Sequence, residues 1–237
     1  MGGKVVIDCF PESAARYRYG YAAVVIDVIR ATTTATTAVA LGRRVFPVQT
    51  TDEAFVLAET LSNPLLAGEL GGNMPYGFEI TNSPAQIAQR NDIDRPMILL
   101  STSGTQLLLN TAGAGNEAVY TACFRNLTAI AKYIAARHKR VAILGAGTRG
   151  QFRREDQMGC AWLAERLVQM GFEPESAQTE EYIGHWKGVS PEEVRGGRSA
   201  AYLTKTEQTA DLEFVLGHFD DLAIVPTLIN RELVAVS

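Results

Sequence analysis

The stretch Val24–Gly42, VVIDVIRATTTATTAVALG, decides how the chain is read. An apolar run, Val24–Ile26, ends in the carboxylate of Asp27. Arg30 follows three residues later, and then Thr32, Thr33 and Thr34. A strand that only had to turn would use Gly, Asn or Pro. The β-branched threonines suit an extended run better than a helix interior, so the stretch reads poorly as one uninterrupted helix. An acid, a base and a row of hydroxyls where a buried strand runs out point instead to chemistry at the strand end.

Working outward, short apolar runs alternate with longer amphipathic ones. Strands are expected at Val5–Asp8, Ala22–Asp27, Arg44–Val48, Leu65–Ala67, Met97–Ser101, Ala118–Thr121, Val141–Leu144 and Leu222–Val225. Helices are expected at Thr33–Leu41, Thr51–Leu61, Thr105–Thr111, Leu127–Arg137, Glu155–Met170 and Thr206–Leu216. Such alternation predicts an α/β fold with a largely parallel or mixed sheet covered on both faces. One domain over residues 1–237 is expected, with the polar segment 173–197 as a connection inside it.

Composition narrows the function. Hydrophobic residues make up 46% of the 237, enough for a sizeable core. The net charge of −4 leaves no basic stripe to neutralise a phosphate backbone, so nucleic acid is not the expected partner. Three widely spaced cysteines, Cys9, Cys123 and Cys160, have no metal-ligand spacing and suit a reducing compartment. No apolar run approaches the roughly 18 residues of a membrane helix. A cytoplasmic protein is expected, and its size suggests a homodimer.

In open α/β sheets ligands sit beyond the carboxyl ends of strands. Five expected strand ends there carry acids, hydroxyls, glycines and arginines: Asp27, Arg30 and Thr32; Gly68 and Glu69; Ser101–Thr105; Arg125 and Asn126; Gly145–Thr148 with Glu155 and Asp156. Their gathering at one sheet edge predicts a site for a small, oxygen-rich anion. Asp27, Glu69 and Asp156 are the carboxylates for a hard cation such as Mg²⁺, while Asp27 and Glu155 equally suit helix N-termini. Arg30 can fork onto a phosphate or pair with Asp27. Thr32 or Thr33 can cap a helix or meet an anion.

Other reaction types find no support. STSGT, Ser101–Thr105, lacks the first glycine of a serine-hydrolase elbow. GAGTRG, Gly145–Gly150, matches a dinucleotide fingerprint, but the polar QFRRED stands where its helix should open. Asp27 lacks the second acid of a D-x-D-x-T phosphatase, and no cysteine has the arginine spacing of a cysteine phosphatase.

Taken in order, DVIRATTT (Asp27–Thr34), GEL-GG (Gly68–Gly72), GFEITNSP (Gly77–Pro84), TSGT (Thr102–Thr105), FRN (Phe124–Asn126) and GAGTRGQFRREDQMGC (Gly145–Cys160) resemble the 2-phosphosulfolactate phosphatase family. The resemblance implies a three-layer α/β/α fold, a Mg²⁺ requirement and hydrolysis of the phosphate ester of 2-phosphosulfolactate, a step towards coenzyme M in some organisms. It implies catalytic roles for Asp27, Arg30, Glu155 and Asp156, and Mg²⁺ at Asp27, Glu69 and Asp156. Substrate contacts are implied for Thr32, Thr33, Asn82, Ser83, Ser103, Gly104, Thr105, Asn126, Gly147, Thr148 and Arg149. The chain departs from the family pattern at Leu70, Ser103 and Pro226–Thr227, which leaves a non-catalytic small-anion or nucleotide-binding relative as the alternative.

Overall fold

A computed structural model describes residues 2–9, 11–147 and 151–236. Its strands are β1 (Lys4–Cys9), β2 (Ala22–Ile26), β3 (Val45–Val48), β4 (Leu65–Gly68), β5 (Met97–Leu100), β6 (Ala118–Ala122), β7 (Arg140–Gly145), β8 (Glu173–Pro174), β9 (Val225–Ile229) and β10 (Glu232–Val236). The helices are α1 (Ala31–Ala40), α2 (Thr51–Ala58), α3 (Pro84–Ala88), α4 (Gly104–Gly113), α5 (Leu127–Arg137), α6 (Arg154–Gln169), α7 (Ala177–Trp186), α8 (Arg198–Lys205) and α9 (Thr209–Gly217).

Among the described residues the strands form one sheet in the order β4-β5-β3-β10-β9-β6-β2-β7-β1-β8. Side chains alternate across it, and each face finds its own helices. Val24, Ile26, Ala122 and Ile143 pack with α5 and α6. Val25, Ala142, Leu144 and Leu99 pack with α1 and α4. Val48, Ile98 and Leu100 meet Ala54 of α2. This is the expected three-layer α/β/α arrangement with a mixed sheet.

The sense of the strands differs from a simple parallel edge. β6, β2, β7, β1 and β8 are mutually parallel, and so are β3, β5 and β4. The β9–β10 hairpin is wedged between these groups and pairs antiparallel on both sides, so they run in opposite directions. Sheet twist turns the two groups relative to one another. Each strand turns about 20–25° on its neighbour, so the steps from β5 to β2 accumulate roughly 100–125°. The turn after β5 meets the turn after β2: a Cβ at Gly104 would stand 2.5 Å from Asp27 Oδ2.

Several expected elements are corrected. The expected strand at Leu222–Val225 lies instead at Val225–Ile229. The connection expected at 173–197 is structured, with β8, α7 and a 3-10 turn at Pro191–Gly196. The helix expected at Thr33–Leu41 is present as α1, opening two residues earlier at Ala31 against the low propensity of its threonines, and Thr32, Thr33, Thr34, Thr36 and Thr37 are all buried. Their hydroxyls help where they can: Thr33 donates to the Val28 carbonyl and Thr37 to the Thr33 carbonyl, both at 2.7 Å. Burial between sheet and neighbouring helices overrides the small intrinsic penalty.

Candidate active site

The site grows from the turn between β2 and α1. β2 is fully buried, so Asp27 emerges from it into a region almost without solvent; the residue is 7% exposed. One carboxylate oxygen, Oδ1, accepts the Ala31 N–H at 3.3 Å, which caps α1. The other, Oδ2, faces Gly104 at the start of α4, where a Cβ would stand 2.5 Å from it. Gly104 is therefore needed for the close approach of α4 to Asp27.

Two further acids come from α6. Gly159 lets that helix press on the end of β2: a Cβ there would lie 3.2 Å from Ile26 and 3.3 Å from Val28. One turn earlier, Asp156 Oδ1 accepts the Val28 N–H at 2.8 Å. Glu155 is 1% exposed, and neither of its carboxylate oxygens has a hydrogen-bond partner. The Ser199 hydroxyl of α8 stands close enough to favour its charge without completing a well-formed bond.

Burial raises the proton affinity of all three acids, and neighbouring negative charge adds to it for Asp27 and Asp156. Asp27 is pushed up to about 7 by burial first, then by the charges of Glu69 and Glu155. The Ala31 N–H and Arg30 pull the other way. Asp156 is raised well above the carboxylate range by burial, then Asp27, then Glu155. Glu155 is raised by burial and held back by Ser199 and by Arg153 and Arg154. Buried like charges of this kind need protons or a cation to be stable.

Glu69, which follows β4, is used differently from the expected ligand. Its Oε1 accepts the Thr102 N–H at 2.7 Å, and its Oε2 accepts the Gly72 N–H at 2.7 Å and the Thr102 hydroxyl at 2.8 Å. It fastens the glycine loop to the turn after β5, and acts on Asp27 through its charge. Among the described residues, no three Asp, Glu, His or Cys side chains form a ready-made metal-binding group.

A family profile described as 2-phosphosulpholactate phosphatase matches residues 9–231. The chain belongs to the 2-phosphosulpholactate phosphatase family. A probable 2-phosphosulfolactate phosphatase of Thermotoga petrophila is 31% identical over 88% of this chain and 89% of its own length. One from Deinococcus radiodurans is 30% identical over 94% and 92%. One from Symbiobacterium thermophilum is 40% identical over 63% and 64%. The family is one of phosphatases, so membership makes this chain a phosphatase-family hydrolase.

Within this phosphatase-family site, the remaining expected residues divide by what they touch. Arg30 does not pair with Asp27; its Nη1 donates to Asp211 Oδ2 at 2.5 Å and to Gln208 Oε1 at 2.6 Å. Thr32 is spent on the turn: its hydroxyl donates to the Asp27 carbonyl and accepts the Asp27 N–H. Thr33 likewise bonds backbone, so neither hydroxyl is turned to an anion. Thr105 exchanges bonds with the Ser101 backbone.

Asn126 accepts the Cys123 N–H and donates to the carbonyls of Thr121 and Ile224, tying the turn to the strand ends. Arg125, expected as an anion binder, grips both oxygens of Asp221. Ser83 caps α3 and donates to Asp211. Asn82 is 1% exposed with its Oδ1 unpartnered. Ser103 holds the N-cap position of α4. Gly147 has φ +53°, and Thr148 and Arg149 lie outside the described residues. α6 opens at Arg154, outside GAGTRG, as the rejection of a dinucleotide site requires.

Sequence reasoning missed Asp211, Gln208 and Ser199. A buried acid among apolar neighbours in an expected helix was the only signal for Asp211. Nothing local marks the other two.

Proposed function

We propose that this chain is a Mg²⁺-dependent phosphatase that hydrolyses 2-phosphosulfolactate to sulfolactate and inorganic phosphate. The reading is carried by three buried acids at the end of β2: Asp156 bonds the Val28 N–H next to Asp27, and the charge of Glu155 raises the proton affinity of both Asp27 and Asp156. The donor set fits a hard cation. Mg²⁺ commonly takes only one or two protein carboxylates and completes its shell with water and substrate phosphate, so a three-acid cage is not required. Asp27 Oδ2 and the second oxygen of Asp156 are the groups that would hold it, and Glu69 acts at longer range. When bound, the ion would neutralise charge on the phosphoryl oxygens.

The chain's own residues supply the rest. Arg30 grips the phosphoryl group as negative charge spreads over its oxygens. Glu155 is the general base. Its oxygens carry no hydrogen bond, and its raised proton affinity suits it to take a proton from the attacking water. Water oxygen bonds to phosphorus as its proton passes to Glu155, the ester P–O bond breaks, and the departing sulfolactate oxygen takes up one proton, which matches the one Glu155 removed. Burial keeps stray water from the acids. Three free cysteines accord with action in the cytoplasm.

The test is phosphate release from 2-phosphosulfolactate, measured beside a panel of other phosphorylated hydroxy acids. Release dependent on Mg²⁺ and abolished by EDTA is expected. Thermal stabilisation by the ester without any release would overturn the enzyme reading in favour of an anion-binding relative.

A further inference from the structure

Arg30 is held in an unusual way for a turn residue. Its side chain and that of Asp211 are each only 4% exposed. Asp211 lies on α9, 181 residues further along the chain. Both hydrogens of Arg30 Nη1 are consumed, one by Asp211 Oδ2 and one by Gln208 Oε1. Asp211 is itself fixed: Oδ1 accepts the Ser83 hydroxyl at 2.5 Å and the Ala85 N–H at 3.2 Å. The carboxylate thus clamps the guanidinium from behind and joins α9, α3 and the Asp27 turn in one buried knot.

The other edge of the guanidinium is left open. Among the described residues no hydrogen bond reaches Nε or Nη2 of Arg30, and neither belongs to the sealed, unsatisfied buried atoms. Those two N–H groups point in parallel, the geometry that matches two oxygens of a phosphate. A guanidinium bound by Nη1 alone cannot rotate to present any other pair.

We propose that Asp211 is a positioning residue for the phosphatase reaction: it holds Arg30 by Nη1 so that the Nε–Nη2 edge meets two phosphoryl oxygens of the substrate. Gln208 assists. This rests on the phosphatase reading above and adds to it how the anion grip is aimed. A buried charge pair that served stability alone could be replaced by apolar groups at little cost; this one leaves three of its cation's five N–H donors unspent in the turn that follows Asp27.

The experiment compares wild type, Asp211→Asn, Arg30→Lys and the double variant. It measures inorganic phosphate affinity by calorimetry and kcat and KM on 2-phosphosulfolactate, with melting curves alongside. Asp211→Asn should weaken phosphate binding about 10-fold and lower kcat/KM about 10–100-fold, as misplacement of a binding group does. In the Arg30→Lys background it should add less than about twofold, because the fork it aims is already gone. Asp211→Asn within about twofold of wild type, or losses that multiply in the double variant, would overturn the proposal. Should Asp211→Asn not fold, Asp211→Glu keeps the charge and is judged by the same criteria. Coupled loss of phosphate affinity in a protein that leaves the sulfolactate ester intact would support the role of Asp211 and overturn the substrate.

Discussion

Gly104→Ala puts a methyl group into the narrowest place in the site. Its Cβ would fall 2.5 Å from Asp27 Oδ2 and 2.5 Å from the Ala31 Cβ, against 3.4 Å for the start of ordinary contact. The shortfall is 0.9 Å, and neither neighbour is the loose end of a long side chain. Ala31 is fixed in the first turn of α1 and Asp27 is tied to it, so the carboxylate must shift by roughly half an ångström to one ångström. Overpacking of this kind costs about 1–3 kcal/mol, which lowers Tm by about 2–4 °C per kcal/mol in a chain of this size. Displacing a reacting group by about 1 Å can cost on the order of 100-fold in rate. Gly113→Ala, at the other end of the same helix, is the control. No atom lies within 4 Å of its added Cβ, and it should be neutral or slightly stabilising. Phosphate release and calorimetric melting are measured for both. A Gly104→Ala enzyme with kcat/KM within about threefold of wild type and an unaltered Tm would refute the packing argument.

Asp27→Asn should reduce phosphate release by about 10³-fold, as loss of a group that acts on the transition state does; a variant that retains a tenth of wild-type kcat would exclude Asp27 from the reaction. Its stability relative to wild type should depend on pH. Asp27 binds its proton more tightly folded than unfolded, so its favourable contribution is present below the ordinary value of 3.8 and is lost as pH rises through about 7. Melting curves from pH 4 to 8 should therefore show wild type losing ground to Asp27→Asn as pH increases, and a constant gap would contradict the burial. Glu69→Gln removes one of the charges that raise Asp27. If ionised Asp27 is the active form, the acidic limb of the kcat/KM profile should move to lower pH, and an unmoved limb would show that the coupling is absent. EDTA should lower the Tm of protein prepared with Mg²⁺, and the loss should be greatest at high pH, where the acid cluster is most fully charged; identical curves with and without chelator would count against a metal at these acids.

Much of the framework could be read from patterns of one or two turns. α5 starts and ends where its amphipathic run does, at Leu127 and Arg137. Asp27, Glu155 and Asp156 were visible because acids stand out where apolar strands end or buried helices begin. What could not be read depends on residues distant in sequence. The β9–β10 hairpin turns through Asn230 and Arg231, with φ of 50° and 67°; an arginine there conceals a turn that Asn-Gly would announce. α7 buries little besides Thr179 and Trp186, so its apolar stripe is faint, though Ser176 capping the Thr179 N–H was a usable signal. α3 had its own in Ser83–Pro84, a cap followed by a proline at the first helical position. The backbone bonds of Thr32, Thr33 and Asn126 were hidden for another reason. A hydroxyl or amide at a strand end can serve the backbone or a ligand equally well, and here the turn's own N–H and C=O groups claim them.

The position of the β9–β10 hairpin constrains how the chain is made. Residues 225–236 are the seam between two blocks of strands that otherwise share no ladder. Until they are synthesised, β3 and β6 each present a bare edge, and the Asp27 turn and the β5 turn are joined only by helix packing and the Asp211 knot, with no ladder between their strands. A ribosome-tethered chain stopped before Val225 should therefore stay sensitive to protease along both edges, and gain resistance in a single step once the hairpin clears the exit tunnel. Gradual protection during elongation would show that the halves find each other without their seam.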